Sequence, residues 1–206
     1  MKLYLIRHSI TRGNTLGRYI GRTDEPLCQE GIKLLKDRKY PPAAKVYASP
    51  LCRCVMTAEL IYPGQSVQLE ADLAECDFGA FENKNYKELE GDSRYQQWID
   101  SGGTMAFPQG ESQEKFRSRC VRGFEKVVED ALNSRVSAAA LIVHGGTIMA
   151  VLERFAVPHR EFYDWQVKNG CGFEAAVDEE RWRKGMKEVT VCGKLDNRAA
   201  DGERAR

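Results

Sequence analysis

The chain has 206 residues, 42% hydrophobic and 30% charged, and its 31 Lys and Arg against 30 Asp and Glu leave a net charge of +1. That balance argues against a nucleic-acid partner, which demands a basic surplus. No apolar run approaches the roughly 20 residues that span a bilayer, and the apolar start is too short for a signal peptide, so no membrane partner is expected. Strands are predicted at residues 2–8, 45–49, 66–70 and 138–144, with a closing hairpin of 172–178 and 186–192. A helix is expected from 112 to about 132, where Phe116, Cys120, Phe124, Val127, Val128 and Ala131 form an apolar stripe at helical spacing.

Strands alternating with helices of this length predict an α/β fold, a mostly parallel central sheet covered by helices. One domain, 1–193, is expected to hold it, with a small helical cap insertion at about 80–110 and a disordered polar tail at 194–206. Seven scattered cysteines, odd in number, suit a reducing compartment, and the reading is cytoplasmic.

Open α/β sheets bind ligands beyond the carboxyl ends of their strands, where helix N-termini point at them. Three such ends carry unusual residues. The first strand finishes in Arg7-His8, the second in Ser49-Pro50, read as a helix N-cap with Arg53 in the first turn, and a later one in His144-Gly145-Gly146. Two arginines and two histidines converging at one sheet edge describe a phosphate site. Arginine offers planar, permanently charged forks to phosphoryl oxygens, neutral imidazole can attack phosphorus, and Glu75, in Glu75-Cys76-Asp77-Phe78-Gly79, is the best placed acid for a leaving oxygen. Each element alone has a plainer reading as a strand end, a surface charge or a tight turn; their order along the chain favours the functional one.

These residues resemble the histidine phosphatase superfamily, the phosphoglycerate-mutase-like proteins. Its motifs are matched by Arg7-His8-Ser9-Ile10-Thr11-Arg12-Gly13-Asn14, by the Gly-Arg-Thr-Asp-x-Pro-Leu stretch from Gly21 to Leu27, and by Ser49-Pro50-Leu51-Cys52-Arg53. Glu75 to Gly79, Gly110-Glu111-Ser112 and His144-Gly145-Gly146 complete the set. The resemblance implies a three-layer α/β/α sandwich and a phosphomonoesterase that phosphorylates His8. It places Arg7, Arg53, His144, Asn14 and Gly21 on the phosphate and makes Glu75 the proton donor. It further implies no metal or other cofactor and a small phosphoester substrate, in a monomer or homodimer. Gly21 to Leu27 and Asn169-Gly170-Cys171-Gly172 resemble the α-ribazole phosphatase branch, making α-ribazole 5'-phosphate a candidate substrate. A phosphoglycerate-type mutase and a non-catalytic phospholigand-binding relative are the alternatives. Two departures motivate the latter: Ser9 stands where the family has Gly or Ala, and Ile10 where it has Glu or Gln. Tyr19, Phe81, Tyr86, Trp98 and Phe107 are candidates to line a substrate pocket or, equally, to pack the cap on the core.

Overall fold

A strand that is apolar at every position must be covered on both faces, and the run Ala138–Val143, buried throughout, sets the architecture of this chain. The structure, a computed structural model, describes residues 1–196. In chain order the strands are β1 (Lys2–Arg7), β2 (Lys45–Ala48), β3 (Val67–Leu69), β4 (Ala138–Val143), β5 (Ala156–Val157), β6 (Gly172–Ala176) and β7 (Val189–Leu195). The helices are α1 (Arg12–Thr15), α2 (Gln29–Lys36), α3 (Cys52–Ile61), α4 (Ser93–Asp100), α5 (Gln113–Asn133), α6 (Gly145–Phe155) and α7 (Glu179–Arg183).

The strands form one seven-stranded sheet in the order β3-β2-β4-β1-β6-β7-β5. Its β3-β2-β4-β1 half is parallel, whereas β6 runs antiparallel to both β1 and β7. Side chains alternate across the sheet, and so do the two cores. Leu3, Leu5, Ala139, Leu141 and Val143 face α5 and α6, while Tyr4, Ile6, Ala140 and Ile142 face the side of α3 with Cys54 and Ala58. This is the expected three-layer α/β/α sandwich.

The closing antiparallel pair is present, with its last strand displaced. Residues 186–188 lie outside it because α7 and the turn at Gly185 occupy the connection, and β7 runs on through Leu195, into the stretch expected as tail. Residues 197–206 of that tail lie outside the described residues. β5 was not anticipated; two residues beside β7 carry too little pattern to be read as a strand. Within the expected cap, α4 is capped by Asp92 and lays Tyr95 and Trp98 against Phe81 and Tyr19. No helix among the described residues is long and apolar enough to cross a membrane.

Candidate active site

Register brings the site together. In the parallel β1–β4 pair, Arg7 is opposite Val143, and the next residue of each strand is a histidine. On the other side of β4, Ala48 is opposite Ile142, so Ser49 comes level with Val143, one residue before His144. The His8 and His144 rings therefore meet edge to face with centroids 5.2 Å apart, and Ser49 Oγ lies 2.8 Å from His144 Nε2. The expected N-cap role of Ser49 is corrected by this contact: the helix starts at Cys52 with Leu51 as its cap residue, and Asp24 instead accepts the Cys52 N–H at 2.6 Å. That bond ties the Gly21–Leu27 loop to the first turn of α3.

His8 is 4% exposed and His144 and Arg53 are 0% exposed. His8 Nδ1 donates to the Ser9 carbonyl at 2.7 Å. Since a carbonyl can only accept, the proton is held on Nδ1 and the lone pair stands on Nε2. Burial, then the charges of Arg53 and Arg7, hold the His8 imidazole well below its usual range. His144 is depressed in the same way, by burial first and then by Arg53, His8 and Arg7. Both rings are neutral near pH 7.

The two arginines are held by carbonyls and keep a donor in reserve. Arg53 gives Nη1 to Thr23 O (2.8 Å) and Nη2 to Gly21 O (2.8 Å) and Ile20 O (3.3 Å). Arg7 gives Nη1 to Val167 O at 2.8 Å. The Nε–H of each is buried without a partner. A buried charged donor left unmade is costly, and here two flank one histidine, an arrangement suited to an anion. Asn169 Nδ2 donates to the His8 and Ser9 carbonyls (3.0 and 3.3 Å) and to Asn14 Oδ1 at 3.1 Å. Asn14 Oδ1 also accepts the Thr11 N–H, which leaves Nδ2 as the remaining donor of that amide.

Gly21 does not offer the phosphate contact expected of it. Its N–H is donated to Glu82 Oε1 at 2.8 Å and its carbonyl goes to Arg53, so it serves the site through the arginine. A Cβ there would stand 1.8 Å from the Cys76 carbonyl, which is why the position is glycine. Ser9 has partners of its own. Its hydroxyl donates to Gly31 O at 2.7 Å and its N–H goes to Thr57 Oγ1 at 3.0 Å, so the hydroxyl hydrogen is engaged by the backbone of α2. Ile10 lines the cleft without a polar role.

Glu75 faces this cluster from the loop after β3. Its oxygens accept the N–H groups of Cys76 (3.0 Å) and of Gly146 (3.1 Å), the latter at the start of α6. A Cβ on Gly146 would fall 2.4 Å from Glu75 Oε1, so the second glycine of the motif makes room for the acid. Burial raises the Glu75 carboxyl above its usual range, outweighing those two hydrogen bonds and the charges of Arg53 and Arg7. Two cavities meet at Glu75. One is a cleft of about 840 Å³ bordered by Arg7, Arg38, Lys168 and Asn169. The other is an apolar recess of about 190 Å³ formed by Tyr19, Phe78, Trp98, Phe107, Phe116 and Phe162. Of the aromatic candidates, Tyr19, Trp98 and Phe107 line the recess, Phe81 is buried behind it, and Tyr86 is exposed at 64%.

The sequence model of the histidine phosphatase superfamily (branch 1) matches residues 3–188. The chain belongs to that superfamily. Among its relatives, an adenosylcobalamin/alpha-ribazole phosphatase of Salmonella typhimurium is 27% identical over 180 residues, covering 83% of this chain and 88% of the relative. A phosphoglycerate mutase structure from Thermus thermophilus is 31% identical, with a TM-score of 0.69 over 95% of this chain and 98% of the other. The alpha-ribazole phosphatase structure from Shigella flexneri, 24% identical, shares the fold with a TM-score of 0.81 over 97% of this chain and 98% of its own. Several residues that hold this candidate site together were not read as site residues from the sequence: Thr57, Glu82, Arg119 and Asn169. Thr57 and Asn169 lie in or beside quoted motifs; Glu82 and Arg119 carry no local signal.

Proposed function

We propose that the chain is a metal-independent phosphomonoesterase that hydrolyses a small phosphorylated metabolite through a phosphohistidine on His8. The observation that carries this is a neutral His8, its proton tied to Ser9 O, under the charges of Arg7 and Arg53, whose buried Nε–H groups have no partner. In the first step Nε2 of His8 forms the N–P bond and the ester P–O bond breaks. The departing oxygen takes the proton of Glu75, whose raised affinity for it suits an acid. Arg7, Arg53, His144 and Asn14 donate to the phosphoryl oxygens as charge spreads over them. Water then attacks phosphorus, gives a proton to the Glu75 carboxylate and releases phosphate, restoring His8.

The substrate we favour is α-ribazole 5'-phosphate or a similar nucleotide. The motif resemblance and the Salmonella typhimurium relative support it, and an apolar recess beside the acid suits a base. Seven unpaired cysteines favour a reducing compartment such as the cytoplasm. A phosphomutase is the second reading, motivated by the Thermus thermophilus structure; the open cleft reaching Glu75 lets water in and favours hydrolysis.

The test is phosphate release from α-ribazole 5'-phosphate, 3-phosphoglycerate and aryl phosphates with EDTA present. EDTA-resistant release of free phosphate, strongest with the nucleotide, is expected. Movement of phosphate between positions of the phosphoglycerate without free phosphate would make the chain a mutase. Tight binding without turnover on any ester would make it a phospholigand-binding protein.

A further inference from the structure

Glu75 stands on a segment with little secondary structure of its own, a 3-10 turn at Ala71–Leu73 followed by irregular chain. The Ala74 N–H holds Ala71 O, but the carbonyls that follow need other partners, since a proton donor must be placed to a fraction of an ångström. Four consecutive carbonyls are held instead by side chains of two helices. Arg119 of α5 gives Nη1 to Asp72 O (3.0 Å) and Ala74 O (2.6 Å), and Nη2 to Glu75 O (2.9 Å). Thr147 of α6 gives its hydroxyl to Leu73 O at 3.2 Å. The guanidinium is completed by Glu111, which receives Nε and Nη2 at 2.8 Å each. All five N–H donors of Arg119 are thereby spent. Glu111 also grips the far side of the loop, its own N–H donating to Asp77 O at 2.9 Å.

We propose that Arg119 is a positioning residue for the proton donor, fixing the Glu75 backbone from α5, with Glu111 cancelling its charge so that no net cation is added beside the carboxyl. The proposal rests on the reading of Glu75 as that donor. The geometry divides the labour between two kinds of cation. Arg7 of β1 and Arg53 of α3 keep unpartnered N–H groups at the site, whereas Arg119 has none to give and acts only through the loop. Besides Arg7 and Arg53, the titratable groups around Glu75 are the Cys54, Cys76 and Cys120 thiols, kept neutral by burial, Arg38 and Lys168 along the cleft, and Tyr19 and Tyr163 along the recess. From α5, Arg122 and Lys126 also reach the segment, but they pair with the side chains of Asp72 and Glu70 at its start; Arg119, with Glu111 as its counter-charge, is the cation bonded to the Glu75 backbone.

A misplaced acid shows itself by leaving group. 4-Nitrophenolate departs without a proton, while a benzyl alkoxide needs one. The experiment measures kcat/KM on 4-nitrophenyl and benzyl phosphate for the wild type, Glu75→Gln, Arg119→Met and Glu111→Gln; the ratio of the two is independent of the fraction of folded enzyme. Glu75→Gln is expected to lose about 10²- to 10⁴-fold on the benzyl ester and far less on the aryl ester, the usual worth of general acid catalysis. Arg119→Met is expected to lower the benzyl-to-aryl ratio by at least about tenfold, part of the same effect. Glu111→Gln keeps the side-chain volume and one of the two acceptors, gives up one Arg119 hydrogen bond and leaves the Arg119 charge uncancelled, so the alkaline limb of its pH profile moves to lower pH. If Glu75→Gln loses both esters alike, the reading of Glu75 as the acid fails. If Glu75→Gln behaves as expected and Arg119→Met keeps the wild-type ratio, the positioning role fails. Should Arg119→Met not fold, an unmoved limb in Glu111→Gln overturns the proposal.

Discussion

His8 and His144 touch edge to face at 5.2 Å because they extend two register-paired parallel strands, and both are buried beside the same two arginines. Neither ring can take a proton without facing Arg7 and Arg53 in a region of low dielectric. The contact that builds the nucleophile's pocket therefore also makes folding sensitive to pH.

Below about pH 6.5 the histidines of the unfolded chain bind protons while these two, depressed in the fold, do not. The unfolded state then binds more protons, so stability falls as pH falls, by up to about 1.4 kcal/mol per pH unit for each histidine. Glu75 acts in the opposite sense: its raised affinity adds stability at low pH that is lost as pH rises through its folded value. Two groups outweigh one between neutrality and pH 5. Urea unfolding is expected to show a falling midpoint from pH 7 to pH 5, flattened in the His8→Asn/His144→Asn double variant. An equal slope in that variant would refute the assignment.

Arg53 shows why lysine is no substitute. Its Nη atoms hold the carbonyls of residues 20, 21 and 23 while Nε stays available. One ammonium cannot do both. Arg53→Lys is expected to lower kcat/KM by about 10²- to 10³-fold, the scale of a lost transition-state donor. It should also cost about 1–3 kcal/mol of stability through unsatisfied carbonyls, both readable by kinetics and urea titration on one preparation.

Ser9 gives the opposite expectation. Its hydroxyl serves Gly31 O, so Ser9→Ala should cost about 1 kcal/mol of stability and leave kcat/KM within roughly threefold, since no donor to the phosphate is lost. A loss of a hundredfold or more would show that the serine reaches the ligand.

The ends of β1, β2 and β4 were legible because they are chemically odd: an apolar run closed by arginine, serine or histidine stands out in any parallel sheet. Arg7, His8, Arg53 and His144 were found this way, Glu75 was picked out as the best placed acid beyond another strand, and the structure gathers the five. Asn14 is beside them through Asn169, a relation across 155 residues. Gly21 was recognised as part of a motif, but its amide partner Glu82 sits 61 positions away, and a hydrogen bond of that range leaves no periodicity to read. Arg119 was hidden for a similar reason. It lies on the long amphipathic helix, where an arginine between apolar positions looks like a solvated face until the loop it clamps is known. Ser49 misled because serine before proline is a good cap by composition, and only the register of β2 against β4 turns it to His144.

Gly21 makes that hidden packing measurable. With a Cβ 1.8 Å from Cys76 O, Gly21→Ala must push back the loop bearing Glu75 or the carbonyl held by Arg53. Overpacking of this kind costs about 1–3 kcal/mol. Because either shift displaces a group that acts in the transition state, kcat should fall more than KM rises. A variant with unchanged kcat and lower stability would show that the loop yields without consequence for the site.

The most direct test of the central claim is to mix the protein with a radiolabelled phosphomonoester, quench in alkaline denaturant within the first turnover, and map the label. The account predicts an acid-labile, alkali-stable phosphoryl group on the peptide containing His8, lost to water during a chase and missing in His8→Asn. Turnover with no label on that peptide, or undiminished activity in His8→Asn, would contradict it.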